Sequence, residues 1–354
     1  MMAINPFAKN ESQIPPGKIG ILLVSLGTPD APRFWPVRQF LKEFLSDRRV
    51  IGLPRLFWWP VLHFFVLVFR PLRVARQYAA IWNKETNESP LKAATRSQAE
   101  KLAAWIRAGG LDPKGQHAAG ERFFIAWAMR YRKPDIAQGI MRLQAQGCSR
   151  IMVFPLYPQY SASTTASVHD KVFETLKAMQ WQPAVRIAAP YFNDAAYIDI
   201  LSTSIRAGIS RLGFVPDKIL VSFHSLPKTE ILKGDPYYDQ CLETWRLLRE
   251  ELRLDADRCP VSFQSRFGSR EWLRPYTAET VKKLAREGVK NLVIVSPGFA
   301  SDCLETLYEL NVENRAIFLE NGGTNFAVIP CLNDSELGMM LIYDLVTREL
   351  KGWI

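Results

Sequence analysis

The chain has 354 residues, 48% of them apolar and 23% charged, with 20 Gly and 23 Pro; this excludes a disordered, collagen-like or mini-protein chain and suits two domains of ordinary size. Its 45 Lys and Arg against 35 Asp and Glu leave a formal charge of +10, which favours anionic partners without choosing among phosphates, carboxylates, nucleic acid and acidic lipid headgroups. The five cysteines, at 148, 241, 259, 303 and 331, show no C-x-x-C or metal-finger spacing, so neither a disulfide framework nor a structural zinc site is expected.

Residues 1–17 (MMAINPFAKNESQIPPG) are polar and lack the apolar stretch of a secretory signal, so they are expected as a disordered tail on a cytoplasmic chain whose fold starts near Lys18. The run IGILLVSLG is the first expected strand. Leu56 to Phe69 (LFWWPVLHFFVLVF) then runs 14 residues without a charge, between Arg55 and Arg70. As a helix it reaches about 21 Å, short of the about 30 Å hydrocarbon core of a bilayer, and it contains Pro60 and His63. Membrane crossing is therefore not expected. Its aromatic residues, flanked by Arg48, Arg49, Arg55, Arg70, Arg73 and Arg76, suit a segment lying in the headgroup layer or lining a large apolar ligand, with a buried core helix as the plain alternative.

Seven further strand-like runs follow: RFFIAWAM, RIMVFPLY, AVRIAAP, KILVSFHS, PVSFQSR, NLVIVSPGF and FAVIPCLN. Continuous apolar strands alternating with amphipathic stretches predict an α/β fold whose parallel sheets are covered by helices on both faces. The last four strands repeat the first four. LVSLGTP aligns with LVSFHSLP, and Arg130 with Arg266, Pro155 with Pro297 and Asn193 with Asn333 recur at nearly one spacing, whereas Ser25 and Ser222 lie farther apart. The chain therefore reads as two similar doubly wound lobes, 18–190 and 191–330, with a helix over 331–354 packing across them. The first lobe carries an insertion around 45–90, which includes the aromatic segment. Ligands of such sheets sit at the carboxyl ends of the strands, and a cleft between the lobes is the expected site.

At those ends the first half offers Gly27-Thr28-Pro29, Arg130-Tyr131 and the hydroxyl-rich PLYPQYSASTT, whereas the second half has His224 in place of Gly27, and Asp302, Glu305, Glu309 and Glu313. Asp302, Glu305 and Glu309, at i, i+3 and i+7, share one stripe of a helix starting near Ser301. Like charges so placed repel by a few tenths of a kcal/mol per pair, which a purely structural helix would avoid unless the face is solvated. His224 in turn reads either as a hydrogen-bonded strand-end residue or as a site residue. An imidazole with carboxylates can move protons near neutral pH or hold a divalent metal transiently; without H-x-x-x-H or H-E-x-x-H, a tight zinc site is not expected. The absence of G-x-S-x-G, G-x-G-x-x-G and P-loop signatures, and of basic residues interleaved as in a nucleic-acid groove, argues against hydrolase, nucleotide-enzyme and nucleic-acid readings.

LLVSLGTPDAP, YAAIWNKETNESPL, AMRYRKPDI, FPLYPQYSASTTAS, SFHSLPK, KGDPYYDQC, SFQSRFGSREWLRPYT and SPGFASDCLETLYELNVE, in this order over almost the whole chain, resemble the ferrochelatases. The resemblance implies two Rossmann-like lobes clamping a porphyrin under an amphipathic, membrane-contacting lip. It implies insertion of ferrous iron into protoporphyrin IX to give protoheme, with release of two protons. By the same resemblance His224 and Glu305 are the catalytic and metal-binding pair, and Arg130, Tyr131, Tyr237, Trp272, Phe299 and Asp302 line the porphyrin pocket. Glu305, Asp302 and Glu309 then form a path for protons or metal, and Arg130 and the lip arginines are suited to the propionates. Ferrous iron is a substrate, with no tightly bound prosthetic group; only Cys331 follows Cys303, so no iron–sulfur cluster is expected. Cys303 stands where animal members have a second histidine, and NKETNESPL departs from the family's glycine-rich segment. The expected location is cytoplasmic, peripheral on the inner face of the membrane through residues 56–69, with handover from the preceding porphyrin-pathway enzyme. The competing readings are a non-catalytic tetrapyrrole carrier and a chelatase for another metal or for coproporphyrin.

Overall fold

Two parallel sheets of four strands organise the computed structural model, which describes residues 17–109, 111, 122–266, 268 and 270–354. The tail expected over 1–17 falls almost wholly outside the described residues. The first sheet has the order β2-β1-β3-β4, from β1 (Lys18–Gly27), β2 (Phe123–Tyr131), β3 (Cys148–Pro155) and β4 (Ala184–Ile187). The second repeats it as β6-β5-β7-β8, from β5 (Lys218–His224), β6 (Val261–Gln264), β7 (Asn291–Val295) and β8 (Asn325–Val328). All eight expected strands are present, every pairing is parallel, and the shared order bears out the internal repeat. Central strands are apolar at successive positions because helices cover both faces: Ile21, Leu22, Leu23 and Val24 are all fully buried.

Between β1 and β2 run α1 (Phe34–Leu45), α2 (Arg55–Ile81) and α3 (Pro90–Gly109). After β2 come α4 (Ile136–Ala145) and α5 (Ser167–Lys177) on either side of β3, then α6 (Ala195–Ser210) after β4. Between β5 and β6 there are only the short α7 (Lys228–Leu232) and α8 (Tyr237–Leu252). The second lobe continues with α9 (Thr277–Arg286), a π-helix over Glu305–Asn314 running into α10 (Arg315–Glu320), and finally α11 (Glu336–Glu349). The repeat extends to helix starts: Asp194, after Asn193, caps α6 by accepting from the Ala196 and Tyr197 amides, and Ser335, after Asn333, caps α11 through Gly338.

α2 is 27 residues long, well past the end of the 14-residue apolar run. It carries Pro60 and Pro71 and widens into a π turn at Leu62–Val66, between two residues that cannot donate a backbone bond. One face is buried, with Trp58, Leu62, Leu67, Val74 and Tyr78 packed against Phe40, Leu41 and Tyr131. The other is bare: Leu56 is 81% exposed, Phe57 71%, Phe64 72%, Phe65 63% and Phe69 71%. It is therefore neither a buried core helix nor a solvated one.

The lobes meet along polar seams. α3 reaches the second half through Gln98, whose Nε2 donates to Ser301 Oγ at 3.0 Å and the Asn333 carbonyl at 2.8 Å, and through Lys101 on Asp334 at 2.6 Å. The hydroxyl-rich loop after β3 is tied to the start of α8, where Asp235 accepts from the Ala162 amide at 2.7 Å and Gln240 from the Tyr160 amide at 2.7 Å. α11 packs on both α3 and α6.

Gly27 closes β1 with φ of +116°, and a Cβ there would stand 2.0 Å from the Tyr131 carbonyl oxygen. No side chain adopts that backbone without moving β2. Gly27→Ala is therefore expected to lose about 3 kcal/mol or more of unfolding free energy in urea titration, or to be recovered insoluble; an unchanged midpoint would show that the β1 end is not held as described.

Candidate active site

His224 is the last residue of β5, half-buried, with Cα in register with Gln264 of β6. Its Nδ1 lies 2.6 Å from the Ser225 carbonyl. A carbonyl only accepts, so Nδ1 carries the proton and Nε2 is left with a lone pair for a proton or a metal. The turn after it is braced by 271–273, with the Leu273 amide on the Leu226 carbonyl and the Lys228 amide on the Glu271 carbonyl, both at 2.9 Å. This puts Trp272 opposite Pro227. Tyr237, at the start of α8, is buried with its hydroxyl against the His224 backbone, and burial pushes that hydroxyl well above its ordinary pKa. Gly298 beside it has room for no Cβ closer than 3.2 Å to Phe223. Phe299 lines a small apolar space between the lobes, with Leu156, Tyr191 and Tyr197.

Glu305, Glu309 and Glu313 occupy the π-helix at four-residue intervals. Bonding of i→i+5 type makes each turn wider than an α turn, so residues four apart stay close to one line. Glu305 is fixed by its main chain: Gln264 Nε2 donates to the Glu305 carbonyl at 3.1 Å. Gln264 is itself 2% exposed and accepts from Ser222 at 2.7 Å through its Oε1, so the residue beside His224 also holds the start of the acidic row. Glu309 accepts from the Ser265 amide at 2.7 Å and from the Ser265 hydroxyl, a residue held at φ of +69°. Burial first, and the neighbouring Glu305 and Glu313 charges, raise the Glu309 carboxyl to about 7 against the hydrogen bonds from Ser265. Glu313, 39% exposed, accepts from Gln77 of α2 at 3.3 Å and faces Arg73 at 3.8 Å.

Asp302 is not on this stripe. The helix begins at Leu304, not near Ser301, and its first turns are π, so the i, i+3, i+7 geometry of an α-helix does not apply. The Asp302 carboxylate, 8% exposed, instead accepts from Thr306 Oγ1 at 2.9 Å, Asn333 Nδ2 at 2.6 Å and the Cys331 amide at 3.3 Å. It ties the first turn of the π-helix, through the Thr306 side chain, to the segment before α11. Cys303 is buried beside Glu305, and burial with that negative charge raises its thiol well above the usual range. All five cysteines are free. Among the described residues, no three His, Cys, Asp or Glu side chains are gathered closely enough to hold a metal ion.

The first lobe faces this edge with α2. Arg70 sits near Glu305 with its pKa lowered by burial and by Arg73, and Tyr78, buried and close to Glu305, has its pKa raised. Arg130 and Tyr131 are placed differently from an open pocket wall. Arg130 Nη2 is 2.6 Å from Asp47 and its Nε is on Ser167, while the fully buried Tyr131 puts its hydroxyl on the same Asp47 oxygen at 2.8 Å. Asp47, Ser167, Gln264 and Ser265 are the site residues the motifs did not single out; each acts across a long sequence separation, and no local spacing marks them.

The structure is similar to SirB from Bacillus subtilis with Fe3+, at a TM-score of 0.55 and 13% identity covering 95% of this chain and 97% of that one. It is also similar to SirB from Bacillus subtilis subspecies spizizenii in complex with cobalt, at 0.52 and 11%, covering 95% and 97%. At these identities the likeness shows the two-lobe chelatase fold alone. In sequence, the chain is 56% identical to the ferrochelatase of Methylocella silvestris over 95% of both chains. It is 52% identical to that of Rhizobium meliloti over 96% of both, and 49% identical to that of Agrobacterium fabrum over 98% of this chain and 97% of that one. The family model described as Ferrochelatase matches residues 18–350, so the chain belongs to the ferrochelatase family.

Proposed function

We propose that this chain inserts ferrous iron into protoporphyrin IX held between its lobes, with His224 Nε2 as the first acceptor of a pyrrole proton and Glu305 as its carboxylate partner. Iron insertion into a porphyrin to make heme is the activity of the family; the roles of individual residues are the proposal. The observation that carries it is the Gln264 bridge, which fixes His224 and the start of the acidic row to one strand edge. Metallation exchanges one Fe²⁺ for two N–H protons, so the site must bend the macrocycle, accept two protons and release them to water. Trp272, Phe299 and the apolar face of α2 are suited to the bending, through binding energy from the rest of the ring.

Glu305, Glu309 and Glu313 run from that edge to the base of α2. A carboxyl near 7 is half protonated at neutral pH and suited to passing protons, whereas a metal ligand would have to stay ionised. The row is therefore proposed as a proton exit, with Glu313 at its solvent end. Iron is a substrate of this reaction.

The bare face of α2 is proposed to lie in the headgroup layer on the inner surface of the cytoplasmic membrane, where an apolar porphyrin is concentrated and where the preceding pathway enzyme can hand it over. At about 40 Å the helix is long enough to cross a bilayer. Its opposite face is packed on the first lobe, and Arg70, Arg73 and Arg76 lie within it, which favours lying flat. An apolar lip also favours protoporphyrin over the more carboxylated coproporphyrin.

His224→Ala is expected to lower kcat about 100-fold or more while leaving porphyrin binding, read by fluorescence titration, within a few-fold of the parent; a carrier would show no such split. Replacing Phe64, Phe65 and Phe69 by Ser is expected to cut partitioning into anionic liposomes by more than about tenfold, each ring contributing on the order of 1 to 2 kcal/mol; equal partitioning removes the membrane role.

Glu309 gives a pH test of the row. Its folded pKa lies above the unfolded value, so the folded chain holds the extra proton between about 4.5 and about 7, and stability falls as pH rises through that window. Glu309→Gln removes this loss. Its stability relative to the parent should rise across the window by on the order of 2 kcal/mol in urea titrations at pH 5 and pH 8, and the neutral-pH inflection should disappear from the kcat profile. A constant difference would place the Glu309 pKa elsewhere.

A further inference from the structure

Asp47 lies in the loop between α1 and α2 and is nearly buried, its side chain 10% exposed. Its Oδ2 accepts three hydrogen bonds, from Arg130 Nη2 at 2.6 Å, Ser167 Oγ at 2.7 Å and the Tyr131 hydroxyl at 2.8 Å, and its Oδ1 accepts from the Arg49 amide at 2.8 Å. Burial alone would push this carboxyl up; the bonds from Ser167, Arg49 and Tyr131 and the Arg130 charge outweigh it and hold the pKa below the ordinary value. Two residues on, the Arg49 guanidinium grips both oxygens of Asp170, at 2.7 and 3.0 Å, in the first turn of α5. The root of α2 is thus fastened to the end of β2 and to the start of α5 at two points.

The apolar side of the same joint is Tyr131. It ends β2, yet its ring belongs to the cluster that seats α2, edge-on to Phe44 at 5.1 Å. Its hydroxyl on Asp47 and its ring under α2 join the strand end to the helix.

We infer that Asp47 is a positioning residue for metal insertion: it sets the stance of α2 over the cleft and fixes Arg130 and Tyr131 beneath it, touching no substrate itself. All four of its contacts are donors, and both Arg contacts are fixed ones, so only a carboxylate can accept on both oxygens at once. An asparagine must aim its NH₂ either at the Arg130 guanidinium or at the Arg49 amide. The inference rests on the reading of α2 as the lip that holds porphyrin.

The test compares Asp47→Asn with Asp194→Asn in the full chain. Asp194 is a carboxylate with its side chain 16% exposed that caps α6 and pairs with Arg348 at 2.6 Å, and so matches the loss of a hydrogen-bonded ion pair without touching the joint. Asp47→Asn is expected to raise KM for protoporphyrin at least fivefold with kcat within about twofold. Amide hydrogen exchange over residues 55–81 should quicken at least tenfold in the same variant, while Asp194→Asn changes neither. Unchanged exchange over 55–81 in folded Asp47→Asn overturns the positioning role. Faster exchange with an unchanged KM keeps the joint and overturns the lip as a porphyrin contact. Should Asp47→Asn not fold, Arg49→Ala, which removes only the second fastening, is expected to show the same exchange change in smaller degree, and no change there overturns the inference.

Discussion

Three carboxylates at four-residue intervals along one helix repel one another, and the middle one is largely buried; the second lobe's edge is built around this constraint. An α-helix would project such a row with little support. The π-helix, anchored by the Thr306 hydroxyl on Asp302 at one end and by Asn314 on the Glu309 carbonyl at 2.8 Å at the other, keeps the row in line while neighbours answer each member differently. Glu305 meets the charge of Arg70, Glu309 has its carboxyl pKa raised by burial, and Glu313 reaches Gln77 and the edge of solvent. Ser265 holds a positive φ, and the strain is offset by two hydrogen bonds to Glu309. Such an arrangement costs stability and leaves one buried carboxyl with a raised pKa, a feature that clusters at functional sites.

The two lobes share strand order and diverge at the strand ends. In the first, Gly27 ends β1 in a conformation closed to side chains, and the room so obtained is taken by the Tyr131 carbonyl. In the second, the equivalent strand ends in His224 with a free imidazole nitrogen. The first lobe therefore carries the exposed apolar helix, and the second carries the imidazole and the carboxylates. The seams through Gln98, Asp235 and Gln240 fix the two edges relative to each other, so a planar ligand meets a preformed geometry.

Strand number, class and the repeat were legible because they depend on hydrophobic runs and end residues that recur along the chain. His224 and Glu305 stand out in the sequence as residue types that a core does not need, at strand and helix positions the structure places at one edge. Asp302 leaves the expected stripe because the sequence carries no mark distinguishing a π turn from an α turn, and because its partners Cys331 and Asn333 come from another segment. The length of α2 was underestimated for a related reason: Arg70, Arg73 and Arg76 look like a boundary, yet they continue one helix whose inner face stays apolar through Val74, Ala75 and Tyr78 while the arginines project from its sides. Asp47, Ser167 and Gln264 act through tertiary hydrogen bonds alone, which periodicity cannot register.

The change of character along α2 links the parts of the molecule. Its first half offers rings outward and packs Trp58 inward, with the indole N–H on the Leu45 carbonyl at 2.7 Å. Its second half places Arg70, Arg73 and Gln77 against the carboxylates of the other lobe. Tilting the helix would therefore expose the acidic row at one end while moving the apolar roof at the other. The placement of this one helix therefore bears on the exposed apolar surface and on the acidic row together.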